Sequence, residues 1–185
     1  MTKPIALVIR DGLEADITSC LALDHTYTTE YVWQVQFEHS DPQVYQAVFK
    51  TERLPRTLDA AYPADERRLR LALAAQHCFL AAVDRDADSV LGYLVMSSIP
   101  ARKVALIQDL VVDRNVRRRN IGGKLLTIAR RWAREQQLER LIAEVQTRNY
   151  PAIQFCQSGG LIFCGYNERY FDNQDIAVFF GQSLR

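Results

Sequence analysis

The chain has 185 residues, 23 Lys and Arg against 22 Asp and Glu, and a formal net charge of +1. That length predicts one domain with a substantial core, and the balanced charge excludes a general nucleic-acid binder, which carries a strong basic surplus. No apolar run is long enough to cross a bilayer, and the start, MTKPIALVIRDG, has no apolar h-region of a signal peptide, so neither a membrane span nor secretion is expected.

The four cysteines, Cys20, Cys78, Cys156 and Cys164, form no C-x-x-C pair, and the histidines His25, His39 and His77 lack metal-ligand spacing. Disulfides and metals are therefore not expected, and a reducing cytoplasm fits. Each cysteine reads as a small buried apolar residue.

In chain order, IALVIRDG reads as a strand and EADITSCLALD as a short amphipathic helix. EYVWQVQFE alternates and is rich in β-branched and aromatic residues; QVYQAVFKTERL is its hairpin partner across a His-Ser-Asp-Pro turn. Pro55 and Pro63 bracket a loop. DERRLRLALAAQ is helical, acidic at its start, with Leu69, Leu71 and Leu73 as its apolar residues. HCFLAAVD, SVLGYLVMSS and KVALIQDLVVD are three successive strands, with a polar turn at 84–89. Residues 121–137 carry the clearest helical period, with Leu125, Ile128, Ala129 and Trp132 on one face. RLIAEVQ is a strand, and NYPAIQFCQSG a short helix with Asn149 near its cap and Pro151 in its first turn. GLIFCGYNERYF and QDIAVFFGQSL close the chain as strands. This order predicts an α/β (α+β) layered domain with a mixed sheet, not a regular doubly wound one.

The segment VDRNVRRRNIGGKLLTI joins the third of those strands to the long helix. A helix N-terminus offers free N–H groups and the positive end of its dipole. Gly122 and Gly123 let a phosphate approach the backbone closely, and Asn120 tolerates a left-handed conformation. Arg117, Arg118, Arg119 and Lys124 add cationic arms, so the turn suits a diphosphate; a solvated basic turn is the alternative. Two other phosphate motifs do not fit. Arg118 stands where a P-loop needs its first glycine and Leu125 where it needs Ser or Thr, and the first and last glycines of a Rossmann fingerprint are missing.

Residues 117–122, Arg-Arg-Arg-Asn-Ile-Gly, resemble the acetyl-CoA loop of the GCN5-related N-acetyltransferases (GNAT), written Gln/Arg-x-x-Gly-x-Gly/Ala. ALIQDLVVD resembles that fold's fourth strand. AEVQTRNYPAIQFCQSGGLIFCGY resembles the strand, helix and strand written Asn-x-x-Ala-x-x-Phe-Tyr. ALIQDLVV, EVQ before Asn149 and the ending DIAVFF are similar to streptothricin acetyltransferase-like members. The likeness covers residues 76–182 well and the first 75 residues only in outline. Three positions depart from the pattern: Asn120 for a glycine, Cys156 for a tyrosine and Gln108 for an acidic residue.

The resemblance implies a mostly antiparallel central sheet whose fourth and fifth strands splay apart, with helices on both faces. It implies one acetyltransferase domain over 1–185, with a cofactor core at 76–182 and a variable acceptor-side hairpin and helix at 25–75. Acetyl-CoA would pair along Leu110, Val111 and Val112, place its diphosphate on Arg117, Arg118, Arg119, Asn120, Ile121, Gly122, Gly123 and Lys124, and meet Asn149 near its pantetheine arm. Asp109 and Glu144 are the candidate bases. Cys156, in the tyrosine's place, is the candidate acid, with passive packing as the alternative and Tyr150, Tyr166 and Tyr170 as substitutes. Acceptor candidates are Tyr27, Glu30, Tyr31, Trp33 and Tyr170, with Gln34, Tyr166 and Phe171 beside them; Glu30 and aromatics suit a cationic amine, while Tyr31 and Trp33 also suit plain strand positions. The expected reaction is acetyl transfer to a primary amine of a small molecule. A peptide or protein acceptor and a non-catalytic acyl-CoA-binding module are the alternatives. The apolar ending IAVFF is either an edge for a homodimer or an internal strand.

Overall fold

The computed structural model describes residues 5–38, 43–44 and 46–185. The His-Ser-Asp-Pro turn and Tyr45 of its following strand lie outside these residues, as does the start of the chain before Ile5.

The elements follow in the order β1 (Leu7–Asp11), α1 (Asp16–Leu21), β2 (Thr26–Glu38), β3 (Gln46–Ala61), α2 (Glu66–Ala74), β4 (Cys78–Asp84), β5 (Ser89–Ile99), β6 (Val104–Val112), α3 (Ile121–Glu135), β7 (Arg140–Gln146), α4 (Tyr150–Ser158), β8 (Ile162–Asn167) and β9 (Ala177–Ser183). Seven strands form one sheet in the order β1-β4-β5-β6-β7-β9-β8, and β2 and β3 form a separate ribbon. Among the described strands only β6 and β7 run parallel, because α3 carries the chain back across the sheet between them.

Helices cover both faces. Ile17 and Cys20 of α1 and Leu69 and Ala72 of α2 pack with Phe79, Tyr93, Val95 and Val111. On the other face, Leu125, Leu126 and Ala129 of α3 and Ile153 of α4 pack with Leu80, Leu94, Met96, Ile107 and Phe180. Asp65 starts α2 by accepting the Arg67 and Arg68 N–H groups at 2.9 and 3.3 Å. Of the three leucines read on that helix, Leu69 is buried and Leu71 is 56% exposed, since α2 lays only one narrow stripe on the sheet.

Two features of β6 shape the site. Its pairing with β7 runs from Val104 opposite Arg140 to Ile107 opposite Ala143 and stops there, so the two strands separate beyond that point. Against β5, Ile107 faces Met96 while Asp109 faces Val95, which leaves Gln108 as an extra residue. This bulge reverses the alternation. Ala105 and Ile107 face the α3 side before it, and Asp109 and Val111 face the α2 side after it.

The structure corrects three sequence readings and decides a fourth that the sequence leaves open. Pro55 lies inside β3 rather than in a loop. Thr29 pairs with Leu58 and Tyr31 with Arg53, so residues 54–57 sit at an irregularity where proline displaces no ladder hydrogen bond. The strand read through Phe171 ends at Asn167, and a loop follows. Of the two readings of IAVFF, the internal strand is the one found, because β9 pairs with β7 on one side and β8 on the other. Cys164 is exposed, unlike Cys20, Cys78 and Cys156, because β8 is an edge strand. Among the described residues no helix is long and apolar enough to cross a membrane.

The ribbon docks on the end of the sheet through backbone and rings. The Trp33 N–H donates to the Thr147 carbonyl at 2.9 Å. The Trp33 ring lies 5.5 Å from Phe180 and 5.7 Å from Phe163.

Candidate active site

A cleft of about 1100 Å³ opens where β6 and β7 part. Leu110, Val111 and Val112 line one wall, Glu144 and Gln146 the other, and Gly122, Gly123 and Asn149 the helical end.

The β6 wall presents backbone. The Gln108 carbonyl accepts the Tyr62 hydroxyl at 3.0 Å, and the Val112 carbonyl accepts Arg117 Nε at 2.9 Å. Both carbonyls therefore point away from β5. Strand alternation puts the Leu110 N–H and C=O, midway between them, on the same open edge. That edge can pair with an amide-bearing chain as a strand would.

The helical end presents N–H groups. Asn120 holds φ +60° and caps α3 without a side-chain hydrogen bond to its first turn; the first intrahelical bond is Lys124 N–H to the Asn120 carbonyl at 3.1 Å. The N–H groups of Ile121, Gly122 and Gly123 are thus left for a ligand. A Cβ on Gly123 would meet Asn120 Oδ1 at 2.2 Å, and one on Gly122 would meet the Phe155 ring at 3.1 Å. Glycines keep this cradle open, and with the dipole it fits a diphosphate.

The basic residues divide. Arg117 reaches the cleft, but its guanidinium is spent on the carbonyls of Val112 and Asp24, at 2.9 and 3.3 Å, and desolvation lowers its pKa. It braces the turn. Arg118, at φ +63°, lines the cleft. Arg119 and Lys124 are exposed and stand outside the cleft wall. At the other helix, Asn149 caps α4 by accepting the Ala152 N–H at 3.2 Å while lining the cleft.

The two carboxylates read as bases have different settings. Asp109 is 3% exposed, and its Oδ1 accepts Tyr62 Oη at 2.5 Å and Arg68 at 3.0 Å. The bulge turns it toward α2 and away from the cleft. Burial raises its pKa against the opposing pull of Arg68. Glu144 lines the cleft and accepts the Tyr170 hydroxyl at 2.6 Å; burial raises its pKa as well. Cys156 lies in the cleft lining yet is buried among apolar residues of the α3 side, and burial pushes its thiol up to about 12.

Of the acceptor candidates, Tyr27 and Phe171 line the cleft, and Tyr170 touches it through Glu144. Glu30, Tyr31 and Trp33 do not. Glu30 sits at the ribbon irregularity, exposed and paired with Arg53 at 3.2 Å. Tyr31 packs 5.6 Å from Tyr150, and Trp33 is part of the ribbon's aromatic contact with the sheet. Gln34 is exposed, and Tyr166 packs against Phe37 and Phe49. Sequence reasoning missed Tyr62, Arg68 and His25. Tyr62 and His25 line the cleft, and Arg68 is the counter-ion of Asp109. No local pattern marks them, because their partners lie tens of residues away.

Comparison with known proteins agrees with this geometry. The fold is similar to a nourseothricin acetyltransferase (21% identity, 97% of this chain and 99% of that one, TM-score 0.83). It is also similar to a protein from Bacillus anthracis str. Ames assigned as a streptothricin acetyltransferase and solved in complex with acetyl coenzyme A (17%, 97% and 98%, TM-score 0.75). A chain of the NatC complex bound to Gag peptide and CoA shares it too (18%, 98% and 100%, TM-score 0.69). Among curated proteins nothing matches in sequence. The model of the acetyltransferase (GNAT) family matches residues 30–160, so the chain belongs to that family of acetyl-CoA-dependent acetyltransferases.

Proposed function

We propose that this enzyme acetylates a primary amine of a small molecule by direct attack in a ternary complex. The observation that carries the reading is the narrowing of the acceptor end of the cleft by the ribbon and Tyr62. The ribbon is hydrogen-bonded to the end of β7 through Trp33 and Thr147, and the Tyr62 hydroxyl stands 3.0 Å from the Gln108 carbonyl. The Thr147 carbonyl is therefore taken and Tyr62 screens the Gln108 carbonyl, which leaves an extended peptide fewer main-chain partners at this end, and the cleft there is lined by Tyr27, Tyr62 and Phe171 with Glu144 in its wall. The likeness to the nourseothricin and streptothricin enzymes points the same way.

Acetyl-CoA supplies the acetyl group as a thioester. The Leu110 edge holds the pantetheine arm and polarises the reacting carbonyl with its N–H. The first turn of α3, with Arg118, holds the diphosphate, and Arg117 keeps that turn in shape. Asn149 is the side-chain donor beside the arm.

Glu144 takes the proton of the acceptor ammonium. A carboxylate with a raised pKa in a desolvated wall is matched to that task. Asp109 serves as a strut, since its one bonded oxygen is held by Tyr62 and Arg68. Cys156 is a packing residue. A thiol near 12 would give its proton uphill to a thiolate of ordinary pKa, about 8.5.

The test is thiol release from acetyl-CoA with a panel of nourseothricin, spermidine, lysine and an unblocked peptide. Turnover of small amines supports the reading. Turnover of the peptide alone points to a peptide acceptor, and CoA binding without transfer to any amine points to a non-catalytic module.

A further inference from the structure

The loop between β8 and β9 is not a passive connection. It is pinned at Asp175, which pairs with Arg148 at 2.7 Å and accepts Asn173 Nδ2 at 2.8 Å. It turns through Arg169 and Gln174, both at positive φ (+53° and +63°). Between those points it sets Phe171 into the cleft wall and brings Tyr170 over Glu144. The Tyr170 ring stands edge-on to Phe171 at 5.2 Å and to Phe179 at 5.4 Å, so the ring is held independently of its hydroxyl.

The hydrogen bond runs from Tyr170 Oη to Glu144 Oε2 at 2.6 Å, with the carboxylate accepting. Among the described residues Oε1 accepts no hydrogen bond, and Glu144 lines the cleft. One oxygen is thus clamped and the other is free for an incoming N–H. We propose that Tyr170 is a positioning residue: its hydroxyl fixes the orientation of the Glu144 carboxylate, so that one oxygen faces the acceptor amine. This rests on Glu144 as the proton acceptor of the reaction.

Three groups act on Glu144 from the elements around it. Tyr170 on the β8–β9 loop and Arg68 on α2 favour the carboxylate; Asp109 on β6 disfavours it. Burial is the larger influence and favours the acid. Removing the Tyr170 hydroxyl takes away a donor that only the ionised form uses fully, so the titration must move upward.

The experiment is a pH titration by carboxyl carbon NMR on protein labelled at glutamate, with Glu144→Gln identifying the resonance. Tyr170→Phe keeps both ring contacts and is expected to raise the Glu144 midpoint by about half a unit, roughly a threefold gain in proton affinity. The acidic limb of kcat/KM for an amine turned over in the panel should move by the same amount, with CoA affinity and thermal stability unchanged. An unmoved or lowered midpoint overturns the proposal. Calorimetry on the wild-type protein separates the two claims: no CoA binding would refute the acetyl-transfer reading of the cleft while leaving the titration result intact. A Glu144→Gln enzyme with full turnover would refute Glu144 as the base, and the role given to Tyr170 with it.

Discussion

The Tyr62 hydroxyl lies 2.5 Å from Asp109 Oδ1 and 3.0 Å from the Gln108 carbonyl, joining the end of the acceptor-side ribbon to the bulge in β6. Arg68 completes the cluster, 3.0 Å from the same carboxylate oxygen. A nearly buried anion depends on that one cation. Arg68→Met should cost about 3 kcal/mol at pH 8. The sign with pH follows from the raised pKa of Asp109. Stability tied to such a carboxyl is complete below its unfolded pKa and falls as pH rises through the higher folded one. Losing Arg68 raises the folded value further, so the deficit should be smaller at pH 5 than at pH 8. Urea unfolding at both values checks this, and an equal deficit would count against it. Asp109→Leu in the Arg68→Met background should restore part of the loss, because no charge is then buried alone.

The reach of the sequence can be judged from the same cluster. Strands, α3 and its left-handed Asn120 were legible because each is set by local chemistry: alternation, a helical period, and a residue type that tolerates positive φ. Asp109 and Glu144 were legible as carboxylates on the central strands, but not which of them faces the cleft. That depends on the single extra residue Gln108, and a bulge leaves no mark in a hydropathy pattern. Tyr62 and Arg68 meet Asp109 across 47 and 41 positions, so only the fold reveals them. Pro55 misled in the other direction. It reads as a loop boundary, yet a ribbon irregularity opposite residues 54–57 accommodates it within a strand.

Arg117 and Arg118 stand side by side in sequence and differ in what they hold. Arg117→Ala removes two hydrogen bonds from a charged donor to the Val112 and Asp24 carbonyls. The expected cost is about 2 kcal/mol of folding stability together with weaker CoA binding. Among the described residues Arg118 makes no hydrogen bond or ion pair, so Arg118→Ala should change stability by less than about 0.5 kcal/mol. Its CoA affinity should fall severalfold, and the difference from wild type should shrink with added salt. Thermal unfolding and calorimetry on the two variants separate them; matching stability losses would contradict this division.

Gly123 gives a cleaner probe of the α3 cradle. Alanine in place of a helical glycine ordinarily stabilises by about 0.5–1 kcal/mol. The new Cβ would collide only with Asn120 Oδ1, the free end of a side chain that can turn away. Gly123→Ala should therefore fold as well as wild type. The new methyl crowds the three open N–H groups, and CoA affinity should fall about tenfold, roughly 1.4 kcal/mol. Unchanged affinity would mean that the diphosphate is not held at this helix end.

Cys156 tests the chemistry at the opposite wall. In the family pattern a tyrosine stands here, and a hydroxyl there can donate a proton to the leaving sulfur. The thiol of Cys156 sits among apolar side chains, close to the helix-packing core, with its pKa raised to about 12 by burial. A proton held that tightly is a poor match for a thiolate leaving group. Cys156→Ala should keep kcat within about threefold and cost on the order of 1 kcal/mol for the small void it leaves. Cys156→Ser keeps a donor but buries a hydroxyl among carbon atoms, so it should be less stable than alanine and no faster. The comparison of the two is decisive. If the serine enzyme turns over and the alanine enzyme does not, the side chain at this position donates a proton, and the leaving group is protonated from α4 rather than by solvent.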